Sequence, residues 1–229
     1  MEVNTIYNEC CLKTLKRLKD NSIDLVVTSP PYNMNKNKYN NFNDNFPFVE
    51  YYLFQKKVLT ELIRVSKVVF LNVQIVNGNR WSMAKILGDF ADYFKEIIVW
   101  NKLNGFSATK GMIVKWTELI LIFEKQNPET RVFDYGNFKA ADLRDIWNIR
   151  IKRSLDKTHE ATFPLTLVAK ILNNFTTPSQ LIYDPFMGTG TTAVACKALG
   201  RNYLGSEIDK SYFELINRRL ANVKTIQKK

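Results

Sequence analysis

Short apolar runs closed by turn residues alternate with stretches of helical periodicity, and this alternation restricts the chain to an α/β architecture. The runs are 24–28 (DLVVT), 68–73 (VVFLNV), 97–100 (IIVW), 118–124 (ELILIFE), 181–184 (LIYD) and 202–207 (NYLGSE). Several are nearly continuous in apolar residues, as strands covered on both faces must be. Between them, 51–66 sets Leu53, Val58, Leu62 and Val65 at near-helical spacing, and 81–94 is similar. Pro164 offers a first helical turn for 164–175, and Gly200 can end a small apolar helix over 191–199. A mainly parallel sheet with helices on both faces is expected. The stretch 103–156 is less regular and carries Arg131, Arg144, Arg150, Lys152 and Arg153 in or near its second half. It reads as a recognition insertion within one domain spanning 1–229.

The length of 229 residues suffices for one substantial core. The net charge of +11 is large for that size and favours a polyanionic partner, nucleic acid first. No apolar run approaches the roughly 20 residues of a membrane span. The start MEVNTIYNEC lacks the basic-then-apolar layout of a signal peptide. Cys10, Cys11 and Cys196 form no CxxC pair, and a single histidine, His159, excludes a multi-histidine metal centre. A reduced, cytoplasmic protein without a metal is expected.

Two segments carry chemistry. The first is the turn Asp184-Pro185-Phe186-Met187-Gly188-Thr189-Gly190-Thr191-Thr192-Ala193, between the run LIYD and an apolar helix. Gly188, Gly190 and Ala193 fit the G-x-G-x-x-A spacing of a nucleotide-binding turn. Glycines let the backbone turn tightly and a ligand approach the main chain. The helix N-terminus presents N–H groups, and Glu207, at the end of the next strand, can accept ribose hydroxyls. NAD enzymes use the same geometry, but only one strand clearly follows this loop. A standard dinucleotide domain continues through several.

The second segment is Thr28-Ser29-Pro30-Pro31-Tyr32, straight after DLVV. Beyond the carboxyl end of such a strand lies the usual ligand crevice. The prolines stiffen the turn and remove two N–H groups, so carbonyl acceptors remain. Ser29 adds a hydroxyl and Tyr32 a flat ring. These parts suit an exocyclic base amine, whose lone pair is delocalised into the ring. Two acceptors on its N–H groups draw the nitrogen towards a tetrahedral shape and aim the lone pair at an electrophile. The base leaves the duplex to get there. In isolation, PPY reads first as a rigid proline turn with a packed tyrosine.

Together, DLVVTSPPYN followed by DPFMGTGTT resembles the beta-group amino-methyltransferases of bacterial and phage DNA modification, over nearly the whole chain. The resemblance implies a Rossmann-like methyltransferase fold with circularly permuted motif order and S-adenosylmethionine as cofactor. It implies catalysis by Ser29, Pro30, Pro31 and Tyr32. A cofactor pocket would be formed by Thr28, Ser29, Asp184, Pro185, Phe186, Gly188, Gly190, Thr191, Thr192 and Glu207. Asn8-Glu9-Cys10 is similar to the family's Gly-Asp-Cys element, which adds Glu9 and Cys10 to that pocket. The stretch 157–164 (KTHEATFP) is similar to the family's H-P-A-x-F-P element, which adds His159 and Phe163, with Glu160 where proline is common.

Ser-Pro-Pro-Tyr occurs in that family mostly with cytosine N4 as target, and Asp-Pro-Pro-Tyr mostly with adenine N6. Ser29 thus points to cytosine N4, with adenine N6 the alternative. Double-stranded DNA is the implied substrate, contacted through Lys36, Lys38, Lys110, Arg144, Arg150, Lys152 and Arg153. A homodimer and a cognate restriction endonuclease are compatible with the resemblance. A NAD-dependent oxidoreductase and a non-catalytic basic DNA-binding module are the rival readings.

Overall fold

The computed structural model describes residues 2–34, 44–103, 110–111, 113–126, 128–137, 143–151 and 163–223. In chain order the elements are β1 (Thr5–Tyr7), α1 (Cys11–Arg17), β2 (Ile23–Thr28), α2 (Phe48–Val65), β3 (Ser66–Val73), α3 (Arg80–Asp89), β4 (Phe94–Asn101), β5 (Thr117–Glu124), β6 (Ile146–Asn148), α4 (Leu165–Phe175), β7 (Leu181–Asp184), α5 (Thr191–Ala198), β8 (Asn202–Ser206) and α6 (Lys210–Ala221). They build one eight-stranded sheet in the order β1-β8-β7-β2-β3-β5-β4-β6. Only β5 runs against its neighbours, pairing antiparallel with β3 and β4. The sheet is therefore mainly parallel, with the Rossmann-like layout expected.

Side chains on successive strand residues point to opposite faces, and the core divides accordingly. Leu25, Val27, Val68, Phe70, Ile120, Ile122 and Ile182 pack against Leu167, Val168, Ile171 and Leu172 of α4, Ala193 and Cys196 of α5, and Ile216 of α6. Val26, Val69, Leu71, Leu121, Phe123 and Tyr183 pack against Leu15 of α1, Val58, Leu59 and Leu62 of α2, and Met83 and Ile86 of α3. Helices thus cover both faces, which is why β2, β3 and β7 read as unbroken apolar runs.

Sequence periodicity misplaces one residue on α2. Leu53 is 54% exposed, and Tyr51, Tyr52, Gln55, Val58, Leu59 and Leu62 form the buried face instead. About two and a half turns separate Leu53 from Leu62, so the two point in opposite directions. The stretch 103–156 also contains more than loops. Both β5 and β6 lie within it and run in the sheet.

The sheet order places the site. From β2 the chain moves outward to β3, and from β7 it moves the other way to β8. The carboxyl ends of β2 and β7 are therefore neighbours at a topological switch point, where an open α/β sheet leaves a crevice. The two motifs flagged in the sequence emerge from those two strand ends.

Candidate active site

A buried carboxylate ties the motifs together. Asp184 Oδ1 accepts from Thr28 Oγ1 at 2.7 Å and from the Phe186 N–H at 3.0 Å, and Oδ2 accepts from Thr192 Oγ1 at 2.7 Å. Thr28, Thr192 and Asp184 are all essentially inaccessible. Burial pushes the Asp184 carboxyl up to about 6, against the three hydrogen bonds that favour its charged form. One side chain thus fixes the end of β2, the start of the glycine turn and the first turn of α5. Both of its oxygens are engaged in holding the turn.

The TSPPY turn is held from below. The Tyr51 hydroxyl of α2 donates to the Pro31 carbonyl at 2.6 Å. Asn33, at φ +58°, donates from Nδ2 to the carbonyls of Phe46 and Gly78, both at 3.0 Å, and accepts the Phe46 N–H at 2.7 Å. A Cβ on Gly78 would lie 1.6 Å from the Asn33 carbonyl oxygen, so only glycine admits this approach. The Asn33 and Met34 N–H groups both donate to Asp44. Among the described residues no hydrogen bond reaches the Pro30 carbonyl, so it is an open acceptor of the turn.

Above the turn lies a polar chain that the sequence reading did not single out. Ser29 Oγ and Tyr32 Oη are 2.9 Å apart. Tyr32 Oη donates to Glu118 Oε2 at 3.0 Å. Asn72 Nδ2 donates to the same oxygen at 2.7 Å and to Tyr32 Oη at 3.0 Å. Lys102 Nζ closes the chain on Glu118 Oε1 at 3.2 Å, with side-chain exposures of 4% for the lysine and 12% for the glutamate. Asn72 comes from the end of β3 and Glu118 from the start of β5. A polar residue inside VVFLNV, and an acid opening ELILIFE, are the signals that could have exposed them.

The glycine turn is built around Glu207. Its Oε2 accepts the Gly188 N–H at 2.6 Å and its Oε1 the Asp209 N–H at 2.8 Å. Burial pushes this carboxyl up to about 7, opposed by those two backbone donors. Gly188 and Gly190 sit at φ +54° and +83°. A Cβ on Gly190 would lie 2.8 Å from Ile216 of α6, whereas one on Gly188 would meet little and project into open space. Gly190 is required for packing, and Gly188 leaves the turn bare towards the crevice. Pro185 is buried in the turn, and Thr191 begins α5. The Phe186 ring packs 6.1 Å from that of Phe54.

Other sequence-flagged residues are placed less directly. Glu9 accepts from Thr14 at 2.6 Å and forms an ion pair with Arg17, so its carboxylate faces α1. Cys10 is the N-cap of α1, and a hydrogen bond from the Cys11 thiol lowers its own thiol below the ordinary range. Phe163 packs at the edge of the α4 core. Lys110, Arg144 and Arg150 are exposed. Lys36, Lys38, Lys152, Arg153 and His159 lie outside the described residues.

Comparison with known proteins supplies the family. A family model described as DNA methylase, for the N6 and N4 class, matches residues 23–218. The type II methyltransferase M.BglII of Bacillus subtilis is 30% identical over 271 aligned positions, covering 98% of this chain and 74% of the relative. M.HinfI of Haemophilus influenzae is 29% identical, covering 97% and 69%. Among solved structures, the complex of M1.HpyAVI with SAM superposes with a TM-score of 0.66 at 22% identity, over 94% of this chain and 98% of that one. The cytosine-N4-specific PvuII DNA methyltransferase gives 0.69 at 17% identity, over 96% and 93%. These structures share the fold. The motif pair at the β2–β7 junction, the span of the family match and the similarity to M.BglII lead to one conclusion: the chain belongs to the N6/N4 family of DNA methylases.

Proposed function

We propose that this chain transfers a methyl group from S-adenosylmethionine to the exocyclic N4 amine of a cytosine at a specific site in duplex DNA. The observation that carries the reading is the Thr28–Asp184 hydrogen bond, which locks TSPPY beside the glycine turn at adjoining strand ends. An amine held at one segment then faces an electrophile held at the other. Ser29, where the adenine-directed members of the family mostly carry aspartate, favours cytosine over adenine N6. Membership in a methylase family replaces the nicotinamide and non-catalytic readings of the same motifs.

The residues present fit the cofactor. Each Glu207 oxygen already accepts one backbone N–H, and a carboxylate oxygen has room for a second donor, here the ribose hydroxyls. Gly188 leaves space for close approach, and Gly190, Thr191 and Phe186 border the same crevice. Thr192 and Asp184 act behind them by holding the turn. Cys10, Glu9, Phe163 and His159 remain cofactor candidates through the family resemblance. When bound, the cofactor supplies an electrophilic methyl on its sulfonium. Ser29 Oγ and the Pro30 carbonyl accept hydrogen bonds from the two amine N–H groups and aim the nitrogen, and the Tyr32 ring stacks on the extruded base. Neutral Ser29 is no strong base, so the amine gives up one proton to water during or after transfer, as the sulfonium becomes a neutral thioether. Positioning of this kind supplies much of the rate.

Lys110, Arg144 and Arg150 are exposed and suited to phosphates. The proposed recognition region is 103–156 apart from the sheet strands β5 and β6. A homodimer and a cognate restriction endonuclease complete the reading, in line with the type II methyltransferases to which the chain is similar. Ser29→Ala and Tyr32→Ala test it. Each should lower transfer of labelled methyl groups to DNA by about a hundredfold or more, with S-adenosylmethionine binding by calorimetry within about twofold of wild type. Full activity in both variants would sink the assignment.

A further inference from the structure

We infer that Glu118 is a positioning residue that fixes the direction of the Ser29 hydroxyl and so makes Ser29 an acceptor for an amine rather than a donor to a carbonyl. The inference rests on the reading that Ser29 meets the target base, and it adds a residue from a strand distant in sequence from either motif.

The polarity of the chain follows from one fact. A carboxylate only accepts hydrogen bonds. Tyr32 Oη and Asn72 Nδ2 both lie within hydrogen-bond distance of Glu118 Oε2, at 3.0 and 2.7 Å, so both must donate to it. The Tyr32 proton is then committed to Glu118. Across the 2.9 Å contact with Ser29, the Tyr32 oxygen can only accept. The Ser29 proton therefore points back at Tyr32. The remaining Ser29 lone pairs are left for the site. Asn72 reinforces the arrangement by donating to Tyr32 Oη at 3.0 Å, and its 3.5 Å approach to Ser29 Oγ is the longest and weakest contact of the set.

Lys102 secures the other end. Its ammonium lies 3.2 Å from Glu118 Oε1, and both side chains are nearly buried. The ion pair pins Oε1 and leaves Oε2 facing Tyr32 and Asn72. A serine hydroxyl alone rotates freely and can donate or accept. With Glu118 behind it, the rotor has one setting, and that setting matches the N–H groups of an aminated base and opposes the lone pairs of an oxo base. Glu118 reaches Ser29 only through Tyr32, so it acts on the amine through those two residues.

Replacement by glutamine reverses the relay. Beside Lys102 the amide oxygen of Glu118→Gln turns to the ammonium and its NH2 turns to Tyr32. The Tyr32 proton is then driven towards Ser29, and the Ser29 proton towards the base. The test compares wild type, Glu118→Gln, Tyr32→Phe and the doubles with Ser29→Ala. Two quantities are measured. One is the single-turnover methylation rate with DNA saturating. The other is the binding preference, in the presence of the demethylated cofactor product, for duplexes with cytosine over duplexes with uracil at the target position (adenine over hypoxanthine should the target be adenine).

Glu118→Gln should lower the single-turnover rate by about a hundredfold, the scale of losing one preorganised group, with the KM for DNA within about threefold of wild type. It should also shrink the amine-over-oxo preference by about tenfold, the scale of one hydrogen bond turned from favourable to opposed. In the Ser29→Ala background it should change neither quantity, because a residue that works through Ser29 has nothing left to orient. Tyr32→Phe keeps the ring and breaks the relay, so it should repeat these results even where Glu118→Gln folds poorly. Wild-type rate and preference in both single variants would overturn the inference, as would full additivity with Ser29→Ala. Absence of methyl transfer by the wild-type protein would instead overturn the function on which the inference stands.

Discussion

At the scale of single residues, the site depends on carboxylates that are not free to act alone. Asp184 spends both oxygens on the turn, and Glu207 spends one lone pair of each oxygen on it. Their environments make a pH prediction. Burial raises Glu207 to about 7, and the ribose hydroxyls proposed for it would donate to its charged form. Cofactor affinity should therefore rise as pH rises through 7 and level off above it. Below that point the dissociation constant should increase by up to about tenfold per pH unit. The same shift has the opposite sense for folding. An acid raised in the folded state stabilises the fold below its unfolded value, and that contribution is lost as pH climbs through 7. Calorimetric titration of S-adenosylmethionine at pH 6 and pH 8 checks the binding limb. Wild type should bind more tightly at pH 8, and Glu207→Gln should bind weakly with no such slope. A flat wild-type profile would remove Glu207 from the ribose site.

At the scale of elements, local sequence marks what is long and apolar and misses what is short or set by distant partners. The runs that became β2, β3, β5 and β7 were legible because helices on both faces demand continuous apolar residues. Strands β1 and β6 have three residues each, too few to show a period, and exist because β8 and β4 offer paired edges. Helix α6 carries a clear start signal in the sequence: Asp209 caps it by accepting the Ser211 and Tyr212 N–H groups. Glycines separate by the same logic. Gly190, at φ +83° and 2.8 Å from Ile216 for an added Cβ, should not tolerate alanine. Gly190→Ala should cost about 2 kcal/mol in urea denaturation. Gly88 lies in α3 with nothing within 4 Å of an added Cβ. Gly88→Ala should stabilise by about 0.5–1 kcal/mol. Equal effects would mean that the glycine turn does not require its left-handed geometry.

At the scale of the whole molecule, function arises from where the sheet order changes direction. Neither TSPPY nor the glycine turn specifies a methyltransferase alone, since a proline turn and a dinucleotide turn look the same locally. Residues 28 and 184 are distant in sequence and adjacent in space, and motif order along the chain was the sequence's only hint of that. The relay behind Ser29 left only two faint marks, a polar residue inside VVFLNV and an acid opening ELILIFE, and nothing to say that they meet. Asn72 is 43 positions from Ser29 and Glu118 is 86 from Tyr32, so no local pattern links them. The net charge of +11 fits a polyanionic substrate and leaves the base and atom to the site. Among the described residues no helix is long and apolar enough to cross a membrane. The most direct test is to incubate the protein with duplex DNA and S-adenosylmethionine carrying a labelled methyl group, digest the DNA to nucleosides, and identify the labelled product by mass. The account predicts N4-methylcytosine; label in N6-methyladenine would contradict the role given to Ser29, and DNA without label would contradict the methyl transfer itself.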